Sequence, residues 1–260
     1  MDFALVILAS VFASLLTLYS GFGLGTLLLP VFVLFFPAEI AVAATAAVHL
    51  LNNLFKGGLM WRGADWGVVL RFGLPAIPAA LAGAWVLGQL GDSGPVFEWR
   101  LAEQIFGPTP ASLVIGALMI VFALLEWQDW FRKLAAPRRF LPLGGVITGF
   151  LGGLTGHQGA LRSAFLLKTG LDARAFIATG VIIAILVDLS RLPVYAASMA
   201  GDAAFTGRDL ALVGAATLAA FAGAWIGART LDKITLGFVR HVVAVLMLAI
   251  GAAMVAGLIR

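Results

Sequence analysis

The sequence contains no cysteine, only two tyrosines and three histidines, and a charged fraction of just 12% over 260 residues. Without cysteine there can be no disulfide, no thiol nucleophile and no thiolate metal site. His49, His157 and His241 are spread too thinly to suggest a metal cluster, so neither a metal nor any other cofactor is expected. No Ser–His nucleophile motif, no HExxH and no pair of catalytic aspartates occurs, and an enzyme is not expected. Scarce charge beside a hydrophobic share of 62% excludes a soluble domain of this length. The composition is that of an all-α polytopic membrane protein, with the lipid bilayer as its main partner. The net charge of +4 would suggest nucleic acid for a soluble chain, but here the positions of Lys and Arg make membrane topology the better explanation. Asp2 stands where a signal peptide would be basic, and the N-terminal segment reads as a retained first helix.

What the sequence has in quantity is glycine inside long apolar segments. Residues 3–36 would form a straight helix about 51 Å long, against a hydrocarbon core of roughly 30 Å. Within them lies Ser20-Gly21-Phe22-Gly23-Leu24-Gly25-Thr26, and residues 141–170 carry an echo in Thr155-Gly156-His157-Gln158-Gly159-Ala160. Glycine takes positive φ and lets backbone approach closely. Irregular backbone at membrane depth is tolerated only where it is buried in protein or lines a cavity. Paired interruptions in two halves therefore point to a transporter's substrate site, the alternative being glycines that only let helices pack.

The chain divides into a first repeat over 1–131, a basic cytoplasmic linker over 132–139 and a second repeat over 140–260. The first comprises a hairpin at 3–36 and spans at about 38–58, 67–90 and 109–131. The second comprises a hairpin at 141–170 and spans at about 173–199, 208–229 and 235–258. Apolar residues at four-residue spacing predict a short surface helix over 97–105. Gly21 and Gly156 begin breaks 135 positions apart, Ala44-Thr45 returns as Ala178-Thr179, and Ala82-Gly83-Ala84-Trp85 returns as Ala222-Gly223-Ala224-Trp225. Three ordered correspondences at nearly constant offset indicate duplication. If both interrupted segments are re-entrant hairpins, twelve Lys and Arg fall on one side and three on the other; single crossings give nine against six. The positive-inside rule favours the hairpins. Three full crossings per half then make the halves an inverted repeat, put both termini outside, and bring the hairpin tips together near the midplane.

Helices beginning near Thr26 and Ala160 would present free N–H groups, which attract anions. The expected binding residues are Gly21, Gly23, Gly25 and Thr26 at the first tip and Gly156, His157, Gln158 and Arg162 at the second. The second span carries Thr45, His49, Asn52 or Asn53, and Lys56 on one face. Its counterpart carries Thr179, Asp188 and Arg191, the last two spaced to pair. His49, Asn52, Asn53 and Arg191 are secondary binding candidates and Asp188 a proton-coupling candidate; the alternative makes the asparagines interhelical glue and Asp188–Arg191 a locking pair. His241 reads as interfacial, and Trp61, Trp127 and Trp130 as belt anchors.

The glycine-rich break running into Leu27-Leu28-Leu29-Pro30, the following Ala-Thr motif and their repetition resemble the TauE/SafE family of sulfite and organosulfonate exporters, over essentially the whole chain. The resemblance implies an inner-membrane transporter of small, mostly sulfur-containing anions. His157, Gln158, Arg162 and Ser163 stand where that family commonly has apolar or glycine residues, and Phe165 where it has proline, which points to a different or more acidic ligand. The expectation is a secondary transporter of a small anionic substrate by alternating access, with an anion channel or a carrier of another small organic acid as alternatives. Self-association into a homo-oligomer is compatible with the sequence.

Overall fold

The computed structural model describes residues 2–20, 24–91, 93–199, 206–229 and 236–259, so that Gly21 and Gly23 of the first break lie outside the described residues. The elements are α1 (Asp2–Ser20), α2 (Leu24–Phe32), α3 (Ala38–Met60), α4 (Trp66–Gly91), β1 (Trp99–Leu101), β2 (Gln104–Phe106), α5 (Pro110–Trp127) and α6 (Asp129–Arg132) in the first part of the chain. After the linker come α7 (Leu141–Thr155), α8 (Gly159–Leu166), α9 (Ala173–Ser198), α10 (Gly207–Arg229) and α11 (Leu236–Val255). Among the described residues five stretches are long and apolar enough to cross a membrane: Ala38–Gly63, Trp66–Gly91, Pro110–Trp127, Ala173–Ser198 and Gly207–Gly227. The chain is a multi-pass helical membrane protein.

Helix starts follow ordinary capping chemistry. Thr109 Oγ1 accepts the Ser112 N–H at 3.1 Å with Pro110 at the first position of α5, and Asp172 Oδ1 accepts the Ala175 N–H at 2.8 Å before α9. Thr206 and Asp209 cap α10 reciprocally, the Asp209 carboxylate taking the Thr206 N–H at 2.8 Å. Gly156 ends α7 in the left-handed conformation, φ +81°, with its N–H on the Gly152 carbonyl at 2.9 Å. The chain then turns back on itself: the Ala136 N–H, before α7, donates to the Ala164 carbonyl of α8 at 2.9 Å. Phe165 of α8 lies over Gly144, where a Cβ would stand 2.5 Å from its ring. Phe165 thus packs α8 against the start of α7, together with Leu166 and Leu141.

Close packing uses small residues, as expected where lipid tails supply no hydrophobic drive between helices. Gly145, Gly149 and Gly153 of α7 press on α4 so tightly that a Cβ at each would stand 2.1, 2.3 and 2.1 Å from the carbonyl oxygens of Phe72, Ala76 and Ala80. Both series rise together, so α4 and α7 run parallel. Gly223 of α10 meets α1 in the same manner, at 2.3 Å from the Val11 carbonyl. Gly116 of α5 and Gly251 of α11 cross face to face, a Cβ on either standing 2.8 Å from the other's carbonyl oxygen. Helices α3 and α9 run antiparallel, His49 meeting Asp188 midway along α3 and the Asp65 N–H, beyond the end of α3, donating to Thr179 Oγ1 at 2.9 Å.

One expectation is corrected. Residues 97–105 form no surface helix; β1 and β2 pair antiparallel, Trp99 opposite Phe106 and Leu101 opposite Gln104. Ala102 takes the turn at φ +53°, the Trp99 and Phe106 rings stack at 5.0 Å, and Trp99 Nε1 donates to the Ala256 carbonyl at 2.8 Å. The four-residue spacing was there, but cross-strand aromatic stacking and an anchor beyond α11 outweigh the helical pattern of so short a segment.

Candidate functional site

The polar stripe of α3 and its counterpart on α9 are buried against each other. His49 Nδ1 lies 2.6 Å from Asp188 Oδ2. The Asn53 amide nitrogen lies 3.2 Å from the same imidazole, and a single proton on Nδ1 satisfies both neighbours: Nδ1–H donates to the carboxylate while Nε2 accepts from Asn53. Asp188 Oδ1 accepts from Arg191 Nε at 3.0 Å, Arg191 Nη2 at 2.7 Å and Gln158 Nε2 at 3.4 Å. Arg191 Nη1 reaches across to the Gly152 carbonyl at 2.6 Å, and the Tyr195 hydroxyl donates to the Gly153 carbonyl. Two buried carbonyls of the α7 C-terminus, the first of which also accepts the Gly156 N–H, thus receive side chains one and two turns along α9 from Asp188. Burying an ion pair is tolerable only with such complete hydrogen bonding.

The two breaks meet beside this network. A Cβ on Gly25, in the first turn of α2, would stand 3.1 Å from the Gly156 carbonyl oxygen and 3.6 Å from Thr45 Cγ2. On the other side of Gly156 a Cβ would stand 3.3 Å from Arg191 Nη1. Thr26 is buried with Gly25. His157 stacks on Phe122 of α5, ring centroids 5.2 Å apart and nearly coplanar, with Nδ1 3.0 Å from Thr155 Oγ1. Four buried polar atoms here have no hydrogen-bond partner: Thr45 Oγ1, His157 Nε2, Gln158 Oε1 and Arg162 Nη1. A buried group left in that state costs about 1–3 kcal/mol, so buried polar atoms without partners at and around the two breaks suit a polar guest.

The expected residues do not all converge. Gly25, His49, Asn53, Gly156, Gln158, Asp188 and Arg191 come together, with His157 and Arg162 on the flanks and Thr26 buried next to Gly25 in the chain. Asn52 turns the other way. Its amide satisfies both ends with the nitrogen toward the Ala220 carbonyl at 3.3 Å and the oxygen toward Lys56 Nζ at 3.0 Å, beside Ser14 Oγ, which joins α3 to α1 and α10. His241 packs edge-on against Trp127 at 5.8 Å, remote from the cluster. Trp61, Trp127 and Trp130 are exposed. Sequence reasoning missed Tyr195 and Phe122. For Tyr195 a signal existed, since Asp188, Arg191 and Tyr195 recur at intervals of three and four; for Phe122, one of nineteen phenylalanines, none did.

Residues 6–254 match the family described as sulfite exporter TauE/SafE. No curated protein and no solved structure gives a match.

Proposed function

The chain belongs to the sulfite exporter TauE/SafE family, and from that premise we propose that this membrane transporter is a secondary carrier of small anions, sulfur oxyanions or organosulfonates, working by alternating access across the inner membrane. The observation that carries the reading is the meeting of Gly25 with the Gly156 carbonyl beside the buried His49–Asp188–Arg191 network. Backbone of two interrupted segments converging on unpartnered donors is what an anion held in mid-bilayer requires.

In this reading the cargo lies between the start of α2 and the tip before α8. Arg162 Nη1 and the Thr45 hydroxyl donate to it, and His157, whose Nδ1–H is spent on the Thr155 hydroxyl that itself donates to the Leu151 carbonyl, adds an Nε2–H only as the imidazolium. Arg191 acts as a positioning residue: three of its nitrogens already hold Asp188 and the α7 C-terminus. Asp188, bridged to His49, is the group through which a proton would be coupled.

The proposed architecture is an inverted repeat of two re-entrant hairpins with three crossings each, both termini outside. Its support is reciprocal packing. Helix α7 nests on α4 as α1 nests on α10, while α5 with α11 and α3 with α9 pair across the halves. Gly116 and Gly251, which touch, are 135 positions apart, the offset that also separates Gly21 from Gly156. Exchange of hairpin arms between halves means that rocking one bundle against the other opens one side of the tips at a time.

Purified protein in proteoliposomes tests the reading. Uptake of labelled sulfite or sulfoacetate should saturate and show counterflow when the lumen is preloaded. Flux that rises linearly with concentration and shows no counterflow would establish a channel instead, and no flux of any sulfur anion would end the proposal.

A further inference from the structure

The tip before α8 offers acceptors as well as donors. Gln158 is fully buried, its side chain packed so closely against α7 that a Cβ on Gly152 would stand 3.5 Å from its amide carbon. Its amide nitrogen lies 3.4 Å from Asp188 Oδ1, which Arg191 Nε and Nη2 also hold. A carboxylate paired with a guanidinium only accepts. The amide therefore keeps its nitrogen toward Asp188 and its oxygen turned away, where Oε1 is buried without a partner. The neighbouring His157 ends in the same way. Thr155 Oγ1 gives its hydrogen to the Leu151 carbonyl at 3.2 Å and so receives the Nδ1–H at 3.0 Å. In the neutral ring Nε2 is then a bare lone pair, buried and unpartnered. Arg162 stands four residues on from Gln158, one turn along α8, with its N–H on the Gln158 carbonyl at 3.0 Å. Its Nη1 is buried and unpartnered as well.

We infer that Gln158 Oε1 is a specificity-determining acceptor of the substrate site and selects a small anion that also carries a hydroxyl group, such as a hydroxysulfonate. The inference rests on the anion-carrier reading above and adds a second functional group to the cargo. A sulfonate oxygen only accepts, so it matches Arg162 Nη1 and leaves Gln158 Oε1 and His157 Nε2 as they were. A hydroxyl hydrogen on the same guest satisfies the amide oxygen. Side chains one turn apart on a helix are near neighbours, so a two-carbon guest spans the pair. A guest without that hydrogen buries the acceptor unpaired, which is how a site built to bond a hydroxyl rejects the analogue that lacks it. An ammonium would donate too. The acid beside Gln158 is already matched by Arg191, however, and Arg162 one turn away repels a cation.

Isothermal titration of the full chain in detergent tests this with four small sulfonates. Isethionate has a hydroxyl on its second carbon, 1-propanesulfonate a methyl group in that place, 2-methoxyethanesulfonate the same oxygen without its hydrogen, and taurine an ammonium. Isethionate should bind at least ~10-fold more tightly than each of the other three. Gln158→Leu, which roughly keeps the side chain's size and removes the acceptor, should lower the isethionate preference over 1-propanesulfonate by ~3-fold or more. Arg162→Ala should weaken both ligands alike. Equal affinities for isethionate and 1-propanesulfonate would overturn this inference and leave the anion reading standing. So would 2-methoxyethanesulfonate or taurine binding as tightly as isethionate, or a preference unchanged in Gln158→Leu. Failure of all four, and of sulfite and sulfate, to bind would overturn both. Should Gln158→Leu not fold, Gln158→Met carries the same expectation, and the comparison of ligands on the unmodified protein still decides.

Discussion

The imidazole of His49 on α3 sits 2.6 Å from the carboxylate of Asp188 on α9, 139 positions away in the chain. That contact ties together the two helices that face each other across the centre of the molecule, and Arg191 extends it to the tip of the second break through the Gly152 carbonyl. Each link can be tested separately.

Asp188→Asn should leave Arg191 buried without its counter-charge. Removing one partner of a buried pair costs about 3–5 kcal/mol, so the unfolding temperature in detergent should fall sharply. Combining Asp188→Asn with Arg191→Gln should recover part of that loss, because neither charge is then stranded. A double variant no more stable than Asp188→Asn would show that the pair does not work as a unit.

Arg162→Ala should weaken binding of sulfur anions by ~10-fold or more, the scale of one charge-assisted hydrogen bond, with little change in unfolding temperature. Arg162→Lys should fall between, since an ammonium lacks the forked geometry. Thermal-shift titration reads both effects, because a ligand that binds only the native state raises apparent stability. An Arg162→Ala protein that keeps the full ligand-induced shift would remove Arg162 from the site.

Gly153→Ala places a methyl group 2.1 Å from the Ala80 carbonyl oxygen and should destabilise the α4–α7 contact by roughly 1–3 kcal/mol or more. Gly214→Ala on α10 meets nothing within 4 Å and should be neutral or stabilising by up to ~1 kcal/mol. Melting curves of the two variants side by side check the difference; similar behaviour would refute the close packing of α7 on α4.

The absence of native cysteine makes topology directly accessible. Single-cysteine variants Arg100→Cys, in β1, and Arg138→Cys, in the linker, should label from opposite faces in intact cells. Labelling from the same face would rule out the inverted arrangement.

Trp99→Ala removes both the stack on Phe106 and the bond to the Ala256 carbonyl. Amide exchange over 99–106 should quicken while transport is kept, since the β-hairpin touches none of the proposed binding groups. A transport defect would assign it a role in gating.

The sequence by itself determined the membrane class and the break at Gly156, because hydropathy and glycine act locally and need no knowledge of neighbours. It also placed Thr45, His49, one of Asn52 and Asn53, and Lys56 on one helix face and spaced Asp188 to meet Arg191. Helical period states which residues share a face; it does not state what that face meets. Only the tertiary structure decided that His49 pairs with Asp188, that Asn52 turns toward α1 and α10, that Tyr195 caps a carbonyl of α7, and that residues 97–105 fold as strands. Those outcomes depend on helices nesting through glycines far apart in sequence, where a carbonyl of one chain segment occupies the space that a side chain of another would need.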